Sequence, residues 1–103
     1  MTTDEAKQQL DRVFVAYPSY REWLRQTARP NDTYDAWCRM LSACDLSDVV
    51  AIVDEIERGE REPTSRYEKP DSLARNIVSE ARIRRGRRSD TERQFTKYHE
   101  AAR

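Results

Sequence analysis

Apolar side chains recur at intervals of three and four along most of the chain, with charged residues between them. That is the period of helices that bury one face. The first stripe is Ala6, Leu10, Val13, Phe14 and Tyr17. Thr2 stands three residues before Glu5, the spacing of a capping box, so the helix is expected to start at Thr2 or Thr3. Pro18 ends it, because the residue before a proline disfavours helical backbone. Ser19 and Glu22 repeat the capping spacing, and Tyr20, Trp23 and Leu24 form the stripe of a short second helix that stops before Ala28-Arg29-Pro30.

Pro30-Asn31-Asp32-Thr33 reads as a turn and a third helix start, with Asp32 as cap and Asp35 in the first turn. Tyr34, Trp37, Cys38 and Leu41 make its stripe, widened by Met40 and Cys44. Asp45 starts a fourth helix carrying Leu46, Val49, Val50, Val53 and Ile56. Valine and isoleucine are mediocre helix formers, so a strand over 49–53 competes. The helix is favoured because the stripe spans eleven residues at helical period and Gly59 follows as a stop. Glu60 to Pro70 is a polar connector broken at Pro63 and Pro70, where Tyr67 is placed to pin the loop. A fifth helix begins at Pro70-Asp71-Ser72, with Leu73, Ala74, Ile77, Val78 and Ala81 on one face.

Beyond Ala81 the pattern changes. Arg82-Ile83-Arg84-Arg85-Gly86-Arg87-Arg88 holds five arginines in seven residues, and Ser89-Asp90-Thr91-Glu92 is spaced to cap another short helix with Phe95 and Tyr98. The scarcity of apolar residues suits a segment that orders only on contact. The expected fold is therefore all-α: a small bundle of four or five short helices over 1–81 and a basic, Arg-rich extension over 82–103. Its core is expected to include Leu10, Phe14, Tyr17, Trp23, Trp37, Leu41, Val49, Val53, Ile56, Leu73 and Ile77.

Composition sharpens this picture. The 103 residues are 37% charged and 37% hydrophobic, with only two glycines, which argues against a turn-rich β-barrel or a collagen-like chain. No apolar run approaches the roughly 18 residues of a membrane span. The N-terminus lacks the basic and apolar regions of a secretory leader, which points to a cytoplasmic chain with reduced thiols. Nineteen basic side chains match nineteen acidic ones. They are unevenly placed: residues 1–70 carry ten basic and fourteen acidic groups, residues 71–103 nine basic and five acidic.

Cys38, Cys44 and His99 do not have the spacing of a zinc site, so no metal or cofactor is expected. No glycine-rich phosphate loop, nucleophile elbow or H-E-x-x-H occurs, so no enzyme is expected. The acidic positions Asp45, Asp48, Asp54, Glu55, Glu57, Glu60 and Glu62 read as a solvated face. The aromatic residues Tyr17, Tyr20, Trp23, Tyr34 and Trp37 read as core. Arg82, Arg84, Arg85, Arg87 and Arg88 can bind phosphates or a protein surface, or can serve as an internal partner for the acidic body.

A family resemblance adds to these readings. Phe14-x-x-Tyr17-Pro18-x-Tyr20 precedes Thr33-Tyr34-Asp35-Ala36-Trp37-x-x-Met40-Leu41. Then come Asp45-Leu46-x-x-Val49, a helix ending in Gly59-Glu60, a proline-containing loop with Tyr67, and a last helix near Leu73. Over about residues 10–80 this resembles the small phage-type replicative helicase loader/inhibitor proteins. The resemblance implies a non-enzymatic adaptor with a helical body and a C-terminal segment that engages a hexameric replicative helicase in DNA replication. The implied contact residues are Arg82, Arg84, Arg85, Arg87, Arg88, Phe95 and Tyr98. Two other readings stand beside it. One is a small nucleic-acid-binding regulator that uses the same five arginines; the other is a phage-type inhibitor of another host protein that uses the acidic body.

Overall fold

The computed structural model describes residues 1–26, 34–64 and 73–101, with side chains through Ser89. Five helices follow in order: α1 (Thr3–Ala16), α2 (Pro18–Gln26), α3 (Tyr34–Ser42), α4 (Leu46–Glu57) and α5 (Leu73–Ala101). The fold is an all-α bundle, as the periodicity predicts, and the 49–53 segment is helical. No helix among the described residues is long and apolar enough to cross a membrane.

Local chemistry explains most boundaries. Thr2 Oγ1 accepts from the Glu5 N–H at 3.1 Å, and Glu5 accepts from the Thr2 N–H at 2.9 Å, which completes the capping box. The start of α2 departs from expectation. Pro18 is already its first residue, so Ser19 is not the cap. Proline fits there because a first-turn N–H would have no helical partner. At the end of α4, Gly59 adopts φ +73°, its N–H bonds to the Ile56 carbonyl at 3.1 Å, and the Glu60 N–H bonds to the Glu55 carbonyl at 3.0 Å. These two bonds satisfy carbonyls that the helix end leaves open. The expected Asp32 cap, the Pro70-Asp71-Ser72 start and Tyr67 lie outside the described residues.

Contacts fix the helix directions. Phe14 lies 6.1 Å from Tyr34 and 6.3 Å from Trp37, ring to ring, while the Met1 amino group donates to the Ser42 and Cys44 carbonyls. Thus α1 and α3 run antiparallel. Arg12 reaches Asp54 and Glu57 near the end of α4, so α1 and α4 run parallel. Arg84 meets Glu55 and Arg88 meets Asp48, so α5 runs antiparallel to α4. α2 packs on α1, and the Tyr20 hydroxyl hydrogen-bonds to Thr64 Oγ1 at 3.0 Å.

Nine of the eleven expected core residues are buried, while Tyr17 and Trp23 are half-buried against the core. In α4 the centre of the buried stripe is Val49, Ile52, Val53 and Ile56, so Ile52 replaces Val50 and Leu46, which sit half-buried at its edges. The connector is also less polar in place than in sequence. Pro63 is fully buried and Thr64 is buried. Burial is tolerated because Asn76 Nδ2 donates to the Pro63 carbonyl at 3.4 Å and Tyr20 partners Thr64.

Ile56→Ala is expected to cost about 2–5 kcal/mol in urea unfolding, because it opens a cavity in the α4 stripe. Val15, 82% exposed, serves as control: Val15→Ser should stay within about 0.5 kcal/mol. Gly59→Ala should cost about 1–2 kcal/mol through its backbone alone, since a Cβ there meets nothing within 4 Å.

Tyr34 yields a pH prediction. Burial first, and then the hydrogen bond its hydroxyl donates to Asp11 at 2.8 Å, raise its pKa above the ordinary 10.0. The folded chain therefore keeps a proton that the unfolded chain gives up. This stabilisation is complete below pH 10.0 and declines as pH rises toward the folded value. Wild-type protein should lose stability relative to Tyr34→Phe as pH rises from about 10 to about 12 in paired urea melts, and parallel curves would refute the assignment.

Candidate functional site

On α5, Leu73, Ile77, Ala81, Arg84 and Arg88 share one face at helical spacing. The first three are buried in the core. The two arginines continue the same face past the core, where α4 offers carboxylates instead of apolar side chains. The stripe keeps its phase and changes its chemistry.

Arg84 Nη2 donates to both Glu55 oxygens at 2.9 and 2.7 Å, and its Nε donates to Glu80 at 3.0 Å, one turn back on α5. Arg61 reaches Glu80 at 3.8 Å, which extends the network into the connector. Glu55 first, and Glu80 as well, hold the Arg84 guanidinium above its ordinary basicity against the opposing effect of partial burial. One turn on, Arg88 donates to Asp48 through both terminal nitrogens and to Asp45 at 3.2 Å. Asp48 is 4% exposed, a buried carboxylate covered by a guanidinium that keeps water contact. Asp45 precedes α4 without a side-chain capping bond and turns to Arg88 instead.

The other edge of α4 is tied the same way. Arg12 donates to Glu57 at 2.8 and 2.7 Å, to Asp54, and to Gln9 at 2.8 Å. Glu57 first and then Asp54 raise the basicity of Arg12, and Arg12 in turn lowers the Glu57 carboxyl below its ordinary range. The expectation of a solvated acidic face holds for the exposed Glu60 and Glu62 and is corrected for the other five carboxylates. Asp45, Asp48, Asp54, Glu55 and Glu57 all pair with arginines from neighbouring helices. Partners 29 to 45 residues apart in sequence produce no local signal.

The expected contact residues separate into groups. Arg84 and Arg88 are anchored to α4. Arg82, Arg85 and Arg87 are exposed, and Arg85 approaches Asp45 only to 4.0 Å. Among the described residues Arg82 forms no ion pair, and neighbouring Ile83 is 47% exposed. The side chains of Phe95 and Tyr98 lie outside the described set, although their backbone is helical. The helix neither stops at Ala81 nor restarts at Ser89: α5 is continuous for 29 residues, so the expected boundary at 81/82 falls inside it. Arginine is a good helix former, and the pairs to α4 supply the tertiary support that the missing apolar residues do not. Sequence reasoning allowed the arginine run to pair with the acidic body, which includes Asp48 and Glu55, but did not single out Arg12 or assign individual pairs. The legible signs were the charge asymmetry, which allowed that pairing, and the phase that Arg84 and Arg88 share with Leu73, Ile77 and Ala81.

Both cysteines are buried, and burial pushes each thiol up from its ordinary acidity, which suits packing rather than nucleophilic chemistry. No protein-family model matches the chain, and comparison with curated proteins and with solved structures returns no match.

Arg88→Ala leaves the buried Asp48 carboxylate without its covering guanidinium and should cost about 1–3 kcal/mol in urea unfolding. Arg82→Ala should stay within about 0.5 kcal/mol. Equal losses for the two variants would contradict the division between anchored and outward arginines.

Proposed function

We propose that this protein is a non-enzymatic adaptor that grips an acidic protein surface with the outward side of α5. The partner indicated by its sequence resemblance is a hexameric replicative helicase, which the adaptor would load or hold inactive during DNA replication. One observation carries the reading: Arg82 and Arg85 stand exposed on the helix that Arg84 and Arg88 anchor to the body. A contact presented on an anchored helix loses less conformational freedom on binding than one on a loose tail. Arginine is also enriched among residues that dominate interface energies, and the exposed Ile83 adds apolar area beside Arg82.

Reach supports the same reading. Arg88 meets the first turn of α4, so the stretch from Ser89 to Ala101 carries α5 about 20 Å further along its axis. The acidic body is a poorer contact, because Asp54, Glu55 and Glu57 already have arginine partners within the chain.

Full-length protein mixed with the helicase should co-elute in size-exclusion chromatography with light scattering at moderate salt. Arg82→Glu combined with Arg85→Gln should weaken that complex by at least about tenfold while the melting curve is unchanged. Truncation at residue 81 is a poor control, because it strips Asp48 and Glu55 of their partners. Absence of any complex with the wild type removes the helicase. Salt-sensitive binding to duplex DNA that the double variant loses would replace the adaptor reading with the nucleic-acid regulator.

A further inference from the structure

Gly86 lies in the interior of α5, between the two anchored arginines. A Cβ at this position would meet nothing within 4 Å, and its φ is not positive. Neither packing nor backbone conformation therefore requires glycine. Glycine nevertheless weakens a helix interior about fivefold relative to alanine in the local opening equilibrium. The weakest point of the longest helix thus sits between its two ionic attachments. Before it, α5 is held by Leu73, Ile77, Ala81 and Arg84. After it, Arg88 on Asp48 and Asp45 keeps the helix against α4.

We infer that Gly86 is a hinge and that the contact of Arg88 with Asp48 and Asp45 is the latch that keeps it straight. With the latch closed, α5 is one continuous rod from Leu73 to Ala101. When Arg88 leaves, the buried Asp48 carboxylate loses its charged partner, and that cost is what keeps the latch closed. The segment beyond Gly86 then bends away while the bundle stays folded. An anionic group on any partner that takes Arg88 competes with Asp45 and Asp48, so binding and helix direction are coupled. The device does not depend on which partner α5 binds.

Hydrogen-exchange mass spectrometry on the full chain tests this. Asp48→Asn should speed exchange over 87–101 by about tenfold and leave 46–57 and 73–85 within about twofold. Adding Gly86→Ala to that variant should slow exchange over 87–101 by about fivefold. Because Asp48→Asn risks unfolding the bundle, Asp45→Asn on the full chain provides the same readout. It should speed 87–101 selectively. Equal acceleration of 46–57, 73–85 and 87–101 would show that the pair supports the whole bundle and overturn the latch. Unchanged exchange over 87–101 would overturn it too, and failure of Gly86→Ala to slow that segment would overturn the hinge.

Discussion

The carboxylates of α4 hold two neighbours at once. Asp54 and Glu57 bind Arg12 of α1 along one edge, while Glu55, Asp48 and Asp45 bind Arg84 and Arg88 of α5 along the other. Between these edges lies the apolar strip of Val49, Ile52, Val53 and Ile56. A small chain with so many charged residues cannot surround its core with apolar side chains alone. Here it closes the core sides with ion pairs. Single pairs at partly exposed sites contribute little, but several share one helix and two are bidentate to arginine, the geometry that makes such contacts count.

Asp48 sets the strictest condition among them. A carboxylate so far from water needs a charged partner, and only the position of α5 supplies it. The pair therefore acts on geometry as much as on stability: it selects the antiparallel registry in which Arg88 covers the first turn of α4. Arg84 and Glu55 set the same registry two turns along α4. With the registry set, the remaining arginines of the run are turned outward, and that outward set is the surface on which the adaptor reading rests.

The same arrangement explains why a segment poor in apolar residues is helical. A basic stretch with few large side chains has the composition of a solvated tail. Arginine's helix propensity and the acidic neighbour on α4 reverse that outcome, so a run that looks like a binding motif spends part of itself on the fold. Gly86 is the position in the run without a side chain to pack or pair, which gives the helix a place to yield.

Much of this was legible in the sequence. The three- and four-residue spacing marked five helical segments but not the run of α5 past Ala81, Thr2 and Glu5 announced a cap, and Gly59 announced a stop, because these signals act over one or two turns of chain. Propensity suggested a strand at Val49 to Val53, and the longer period correctly overruled it. The sequence allowed the arginine run to pair with the acidic body, but not which arginine meets which carboxylate. Arg12 with Glu57, Arg84 with Glu55 and Arg88 with Asp48 arise only when three helices converge. The choice of Ile52 over Val50 for the core and the burial of Pro63 have the same origin. Local rules determine where a helix starts and which broad face is apolar. Only tertiary packing determines which few degrees of that face meet a neighbour, and which charges spend themselves inside the molecule rather than on a partner.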